Sequence, residues 1–442
     1  MQDFDLIVIG AGPGGYNAAA FAANNGLRTA LIEANALGGT CLNRGCIPTK
    51  SLLHASEQYR LLKKETELFT GDVQINEKAM FRKTFETVDS IRNNVSLLLK
   101  NAGVHVYAGK AQICGSHEVQ VGDDNLCAKH ILIATGSKPM RLPIEGIEHA
   151  VDSDGFFHLD AEKIEHLVII GGGVIGVEMA SIYNALGKKV TIIEALPCLI
   201  ANMDKDMGKN LQAILKKRGV DILVNAKVTK IDTDSCTCII KNKEMEIKGD
   251  AILVSTGRVA NTEGLCKNPE MLAMDHGIVV DEDYRTSVDS IFAIGDVVSG
   301  SIKLAHAAHA EGRYVVERLL GLPTTKNPRL IPACVYVSPE IAAVGLNEEQ
   351  GKLLGYASVK APMHSNARTM IAEADRSLMK LVYDPKTRIV KGAHLMCERA
   401  SDMIMEFATA INLSLTIDQL NATVRPHPSF CEAADDLFGK AK

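Results

Sequence analysis

Phe4-Asp-Leu-Ile-Val-Ile-Gly-Ala-Gly-Pro-Gly-Gly15 is the stretch on which the fold turns. The apolar, β-branched run Phe4 to Ile9 is the kind of strand a parallel sheet buries on both faces. Gly10-x-Gly12-x-x-Gly15 then leads into the helical run Tyr16-Asn-Ala-Ala-Ala-Phe-Ala-Ala, which Gly26 ends. A second strand, Thr29-Ala-Leu-Ile-Glu33, closes with an acid. Strand, glycine turn, helix, strand and acid in that order make the full dinucleotide fingerprint. In it Gly10 forms the turn, Gly12 lets backbone approach a pyrophosphate, Gly15 lets helix and strand pack, and Glu33 accepts from ribose hydroxyls. A glycine-rich turn of an ordinary strand–helix–strand unit would not need the acid.

Immediately downstream lies Gly38-Gly-Thr-Cys-Leu-Asn-Arg-Gly-Cys-Ile-Pro-Thr-Lys50. The spacing puts the sulfurs of Cys41 and Cys46 near one turn of a helix start, within reach of a disulfide if that turn is distorted. A helix N-terminus favours thiolate over thiol, and Lys50 adds a cation about one turn on. A lone cysteine usually packs in a core. Structural zinc asks for four ligands, and no second pair of suitable spacing joins this one, so no metal site is expected. Behind a dinucleotide fingerprint, the pair reads as a redox disulfide.

The fingerprint recurs. Leu167-Val-Ile-Ile-Gly171-Gly-Gly173-Val-Ile-Gly176 is followed by a helical run from Val177 to Leu186, the strand Val190 to Ile193, and Glu194. The chain therefore holds two nucleotide sites. A carboxylate at Glu194 suits ribose hydroxyls and repels a 2′-phosphate, so NAD is favoured over NADP. Two apolar runs stop at Thr-Gly, at Thr135-Gly136 and at Thr256-Gly257; a third ends at Gly295-Asp296. Lys78 to Asn101 and His306 to Leu320 read as helices. Pro-rich linkers at Ser137 to His149 and Pro323 to Pro332 mark boundaries, and the last third alternates strands and helices. Cys236 and Cys238 share one strand face and read as packing.

Near the end stands His427-Pro-Ser-Phe-Cys-Glu432. A dithiol must lose a proton before it attacks a disulfide, and a histidine held by a carboxylate supplies such a base near neutral pH. The same letters spell a capping box, Ser429-x-x-Glu432, opening a final helix. Beside a redox cysteine pair we read His427 and Glu432 as a dyad and leave Ser429 to cap the helix.

Composition agrees. The 442 residues suffice for about three ordinary domains. A net charge of −5 without a basic stripe argues against nucleic acid as a main partner. Eleven scattered cysteines fit a reducing compartment better than a secreted disulfide framework. With no leader and no membrane-length apolar run, the cytoplasm is the expected location.

These motifs, in this order and over nearly the whole chain, resemble the pyridine nucleotide–disulfide oxidoreductases, and among them the dihydrolipoyl dehydrogenases. The resemblance rests on Gly10 to Glu33, Cys41 to Lys50, Ala134 to Ser137, Gly171 to Glu178, Gly257-Arg258, Gly295-Asp296, Leu304 to His306 and His427 to Glu432. It implies an α/β fold with two Rossmann-like dinucleotide-binding domains and a C-terminal α+β dimerisation domain. Residues 1–146 and 264–325 would form the FAD-binding part, 147–263 the NAD-binding domain and 326–442 the interface domain. It implies FAD at the first site and NAD at the second, Asp296 on the ribityl chain, and a helix start at Leu304, Ala305 and Ala307 facing the flavin pyrimidine. Thr135, Gly136 and Gly257 would belong to the cofactor sites, and Lys50 would sit near flavin N5, paired with Glu178. Cys41 would meet the substrate, Cys46 the flavin, and the His427–Glu432 dyad would come from the other subunit of a homodimer. Dihydrolipoyl groups of a 2-oxoacid dehydrogenase or glycine cleavage complex would be the partners.

Three residues depart from the family: Arg425 where a second histidine is common, Cys431 for a serine, and Ala260 for a proline. The rival readings are a glutathione-reductase-like sibling, a mercuric reductase and a non-catalytic NAD(H)-binding flavoprotein subunit. The first would replace the acid near Glu194 with basic residues. The second would end in a vicinal cysteine pair. The last would not need Cys41, Cys46, His427 and Glu432 together.

Overall fold

The computed structural model describes residues 2–64, 69, 71–374 and 376–441. Met1 and Lys442, which the sequence reading took as chain ends, lie outside them. The chain divides into two compact units, Met1–Thr49 with Phe81–Met140 and Gly257–Pro328, and Lys50–Met80 with Arg141–Thr256 and Arg329–Lys442.

In the first unit, strand Gln2–Ile9 lies between Thr29–Glu33 and Asp124–Ile133, parallel to both. His105–Ala108 extends one side. On the other, Asp124–Ile133 pairs antiparallel with Glu118–Val121 and, through its last residues, parallel with Ile291–Ala293. Alternate residues of one strand feed two cores: Ile7 and Ile9 pack on one face, Leu6 and Val8 on the other. That is why the strand is apolar throughout rather than alternating. Helix Pro13–Asn24 contributes Ala18, Ala19 and Ala22 to the second of these cores. Small residues also let it meet helix Ala305–Leu319 closely: a β-carbon at Gly312 would lie 3.0 Å from the Gly14 carbonyl oxygen.

The second unit holds an all-parallel sheet ordered Asp221–Val224, Lys189–Glu194, His166–Ile170, Ala251–Val254, Val151–Asp152. An antiparallel meander, Ala226–Ile231, Ser235–Ile240 and Lys243–Lys248, follows. Cys236 and Cys238 are fully buried there, and burial pushes the Cys236 thiol up to about 12. They pack, as their spacing suggested. The same unit carries a five-stranded antiparallel sheet ordered Ala333–Val335, Glu340–Gly345, Val390–Cys397, Leu378–Tyr383, Ala357–Pro362. Helices Ala400–Asn412 and Ala433–Lys440 share its core, where Phe407 meets Phe438 edge to face.

A buried ion cluster ties these parts of the second unit together. Lys380, on the antiparallel sheet, lies with its Nζ 2.8 Å from Asp204, 2.9 Å from Asp206 and 2.6 Å from Glu348. Asp204 also caps helix Lys205–Lys217 through the Asp206 N–H. Removing the lysine would strand the Asp204 carboxylate, whose side chain is itself buried. Lys380→Met is expected to lower unfolding free energy by about 3–5 kcal/mol in denaturant titration; a change below about 1 kcal/mol would mean water already screens the cluster.

Candidate active site

The two glycine loops are built alike. Gly10 and Gly171 have φ of +100° and +111°, which suits glycine and turns the chain out of its strand. A β-carbon at Gly15 would lie 1.8 Å from the Gly10 carbonyl oxygen, and one at Gly176 would lie 2.0 Å from that of Gly171. At Gly12 and Gly173 the same carbon meets nothing within 4 Å. These two residues cap helices Pro13–Asn24 and Val174–Ala185, which have no side-chain cap and no acid in the first turn. Exposed N–H groups at an open, uncapped helix start suit a diphosphate.

Each acid does more than its motif suggested. Glu33 Oε2 accepts from the Ala11 N–H at 2.6 Å, and its Oε1 from the Asn35 N–H at 2.8 Å. Glu194 repeats this with Gly172 at 2.5 Å and Leu196 at 2.6 Å, and it is buried rather than at an exposed strand end. The acids therefore hold the loops themselves, and each carboxylate oxygen keeps acceptor capacity for a ribose hydroxyl.

The cysteine segment is tied to the first loop. The Gly38 N–H donates to the Ala11 carbonyl at 2.8 Å, and a β-carbon at Gly39 would sit 2.7 Å from the Gly12 Cα. Cys41 lies in the short helix Gly39–Arg44, and Cys46 begins the long helix Cys46–Lys64. Gly45 between them folds back so closely that a β-carbon there would lie 3.3 Å from the Cys41 Cα. In the same unit Ser137 Oγ donates to Asp296 at 2.6 Å, and Arg258 Nε donates to Ser137 Oγ at 2.8 Å. Thr135 Oγ1 donates to the Asn261 carbonyl, whose own N–H returns to the Gly136 carbonyl. Helix Ala305–Leu319 starts behind Leu304 without a side-chain cap.

In the second unit Lys50 Nζ donates to Glu178 at 2.8 Å, with Glu178 buried. The other Glu178 oxygen accepts from the Tyr336 N–H at 3.0 Å, and the Tyr336 ring lies 4.8 Å from Lys50 Nζ. Nearby Cys334 is no nucleophile at neutral pH: burial, then the Glu340 charge, pushes its thiol up to about 11.

His427 is exposed, and its Nδ1 lies 2.8 Å from Glu432 Oε1. Glu432 Oε2 accepts from the Ser429 N–H at 2.7 Å. Those two bonds, the backbone one first, hold the Glu432 carboxyl below its ordinary range. The dyad and half of the capping box thus coexist on one carboxylate. The expected cap itself is corrected: helix Ala433–Lys440 starts later than Ser429, and the buried Ser429 hydroxyl has no partner, because Glu432 stands at the cap position. Arg425 cannot relay protons, since a guanidinium stays charged; it is buried between Glu406 and Asp435.

Comparison with known proteins settles the family. The pattern of the pyridine nucleotide-disulphide oxidoreductases matches residues 4–312, and that of their dimerisation domain matches residues 331–438. The chain belongs to this family. It is 34% identical to a dihydrolipoyl dehydrogenase of Mycoplasma genitalium, covering all of this chain and 99% of that one. It is 35% identical to one from Bacillus subtilis, covering 98% and 96%. Among solved structures, the HOCl-induced flavoprotein disulfide reductase RclA from Escherichia coli superposes with a TM-score of 0.88 at 31% identity, covering 99% of this chain and all of that one.

Members of this family bind FAD and a pyridine nucleotide, and the chain's two open glycine cradles fit such groups. The protein is thus a flavin-dependent disulfide oxidoreductase carrying a dimerisation domain. Among the described residues no helix is long and apolar enough to cross a membrane. The sequence reading missed Glu311, which is buried on helix Ala305–Leu319 and accepts from the Gly295 N–H at 2.6 Å, next to Asp296. Burial, then the Asp296 charge, raises its carboxyl above the ordinary range against that N–H. An acid inside an alanine-rich helix was the available signal. It also missed Tyr336, just after strand Ala333–Val335, for which the local sequence gave none.

The glycine geometry separates two variants. Gly176→Ala forces a β-carbon onto a carbonyl and is expected to destabilise the second unit by about 1–3 kcal/mol. Gly173→Ala should keep the melting temperature while weakening pyridine-nucleotide binding, as read by calorimetry. Equal melting temperatures for both would contradict the packing described.

Proposed function

We propose that this protein is a dihydrolipoyl dehydrogenase, oxidising dihydrolipoyl groups with NAD through a Cys41–Cys46 disulfide. The observation that carries the reading is the His427–Glu432 contact in a chain that also holds the cysteine pair. His427, oriented by Glu432, takes the proton of one dihydrolipoyl thiol. The resulting thiolate attacks Cys41; the Cys41–Cys46 bond breaks, and its electron pair stays on Cys46. The second lipoyl thiol, deprotonated in turn, attacks the first sulfur, and Cys41 leaves with the electrons. The products are a lipoyl disulfide and the reduced pair. FAD, held at the Gly10–Gly15 cradle, would supply the two-electron acceptor for the reduced pair. Lys50, held by Glu178 and Tyr336, places a fixed cation on the helix that Cys46 begins.

We assign 1–146 and 264–325 to FAD, with Asp296 and the Ala305 helix start as its ligands. We assign 147–263 to NAD and 326–442 to a homodimer interface that brings His427 and Glu432 to the partner's cysteines. The Glu194 carboxylate supports NAD over NADP. A lipoyl-bearing 2-oxoacid dehydrogenase or glycine cleavage complex in the cytoplasm would supply the substrate. A second reading, an NAD(P)H-dependent reductase of some other disulfide, draws on the likeness to the E. coli reductase.

The test is turnover of the purified flavoprotein with dihydrolipoamide against glutathione, and with NAD against NADP. Dihydrolipoamide with NAD should be the fastest pair; faster reduction of glutathione disulfide by NADPH would select the second reading. Cys41→Ser should cut dihydrolipoamide oxidation by on the order of 10³-fold or more, as loss of a nucleophile does elsewhere. Retained turnover would exclude the disulfide route. Glu194→Ala should weaken NAD by about tenfold, the worth of a charge-assisted hydrogen bond, and narrow the gap to NADP. An unchanged preference would leave Glu194 only its loop-holding contacts.

A further inference from the structure

We infer that Arg425 is a positioning residue for the catalytic histidine, acting as the inward anchor of the segment that presents His427. The inference rests on the dyad reading above and adds to it the question of what holds an exposed base in place. From Asn421 to Pro428 each residue is exposed except Arg425. The segment from Thr423 to Cys431 has no regular secondary structure, so no ladder of backbone hydrogen bonds fixes its path. The His427 side chain is 74% exposed, and its side-chain partner is Glu432.

Within that exposed stretch the Arg425 side chain is only 4% exposed. Its Nη1 donates to Asp435 Oδ1 at 2.5 Å, on helix Ala433–Lys440. Its Nη2 donates to Glu406 on helix Ala400–Asn412. The guanidinium carbon lies 5.1 Å from the centre of the Phe438 ring. One planar cation thus bolts the chain, two residues before His427, to both helices that cover the antiparallel sheet. On the other side of His427, Asn366 Nδ2 donates to the Ser429 carbonyl at 2.9 Å. His427 is suspended between these two fixings, and Glu432 sets the ring. A lysine has no fork to span both carboxylates, and an alanine spans neither. Loss of the anchor should leave the base chemically intact but badly placed, and misplacement by about 1 Å costs on the order of a hundredfold in rate.

The test uses the full-length flavoprotein and two assays. Oxidation of dihydrolipoamide by NAD needs the base; oxidation of NADH by ferricyanide, which draws electrons at the flavin, does not. Arg425→Ala should lower kcat with dihydrolipoamide by about 10- to 100-fold with little change in KM, while the ferricyanide rate stays within about twofold. Arg425→Lys should recover part of the loss, and Glu406→Ala, which removes one arm of the clamp, should reproduce part of it. If Arg425→Ala fails to fold, the Lys and Glu406 variants carry the test alone. A dihydrolipoamide kcat within about twofold of the parent in all three variants would overturn the inference, as would parallel loss in both assays. His427→Gln separates the two levels. If it retains dihydrolipoamide turnover, the dyad reading fails; if it loses turnover while the Arg425 variants do not, only the anchoring fails.

Discussion

A carboxylate gripping the backbone of a glycine loop is the contact that each unit repeats and on which each loop depends. Glu33 accepts from the Ala11 N–H, and the Ala11 carbonyl in turn accepts from the Gly38 N–H. Acid, nucleotide loop and cysteine segment are thereby joined in one short chain of hydrogen bonds. The second copy repeats the first link and diverges at the next: Glu194 accepts from the Gly172 N–H, and the Gly172 carbonyl accepts from the Ile200 N–H. The position that registers the cysteine segment in one unit registers only a loop in the other. The repeated motif is the scaffold, and the chemistry comes from what each copy attaches to it.

The remaining carboxylates are each held by a neighbouring donor. Glu178 has Lys50 and the Tyr336 N–H. Asp296 has Ser137, which Arg258 also engages. Glu432 divides its two oxygens between His427 and the Ser429 backbone. The Lys380 cluster gathers three carboxylates about one buried ammonium and serves cohesion.

Local patterns carried the fingerprints, the cysteine pair and the His427–Glu432 candidate, because each is set within one turn or one strand–turn–helix unit. The capping question shows where such reading ends. His427, Ser429 and Glu432 are local, yet the division of one carboxylate between ring and backbone depends on where helix Ala433–Lys440 begins. Tyr336 reaches its partner Glu178 from a distant segment, and nothing in its own neighbourhood announces it. Arg425 read as a departure from a pattern; its two carboxylates lie on different helices that only the folded C-terminal layer brings together.

The central claim is that Cys41 and Cys46 alternate between disulfide and dithiol under control of the bound flavin. The direct measurement is mass-spectrometric alkylation of the yellow, oxidised protein before and after anaerobic reduction by NADH. The account predicts that Cys41 and Cys46 gain label on reduction and that this gain is confined to them. Equal labelling of both before and after reduction, or a protein that takes up no flavin, would contradict it.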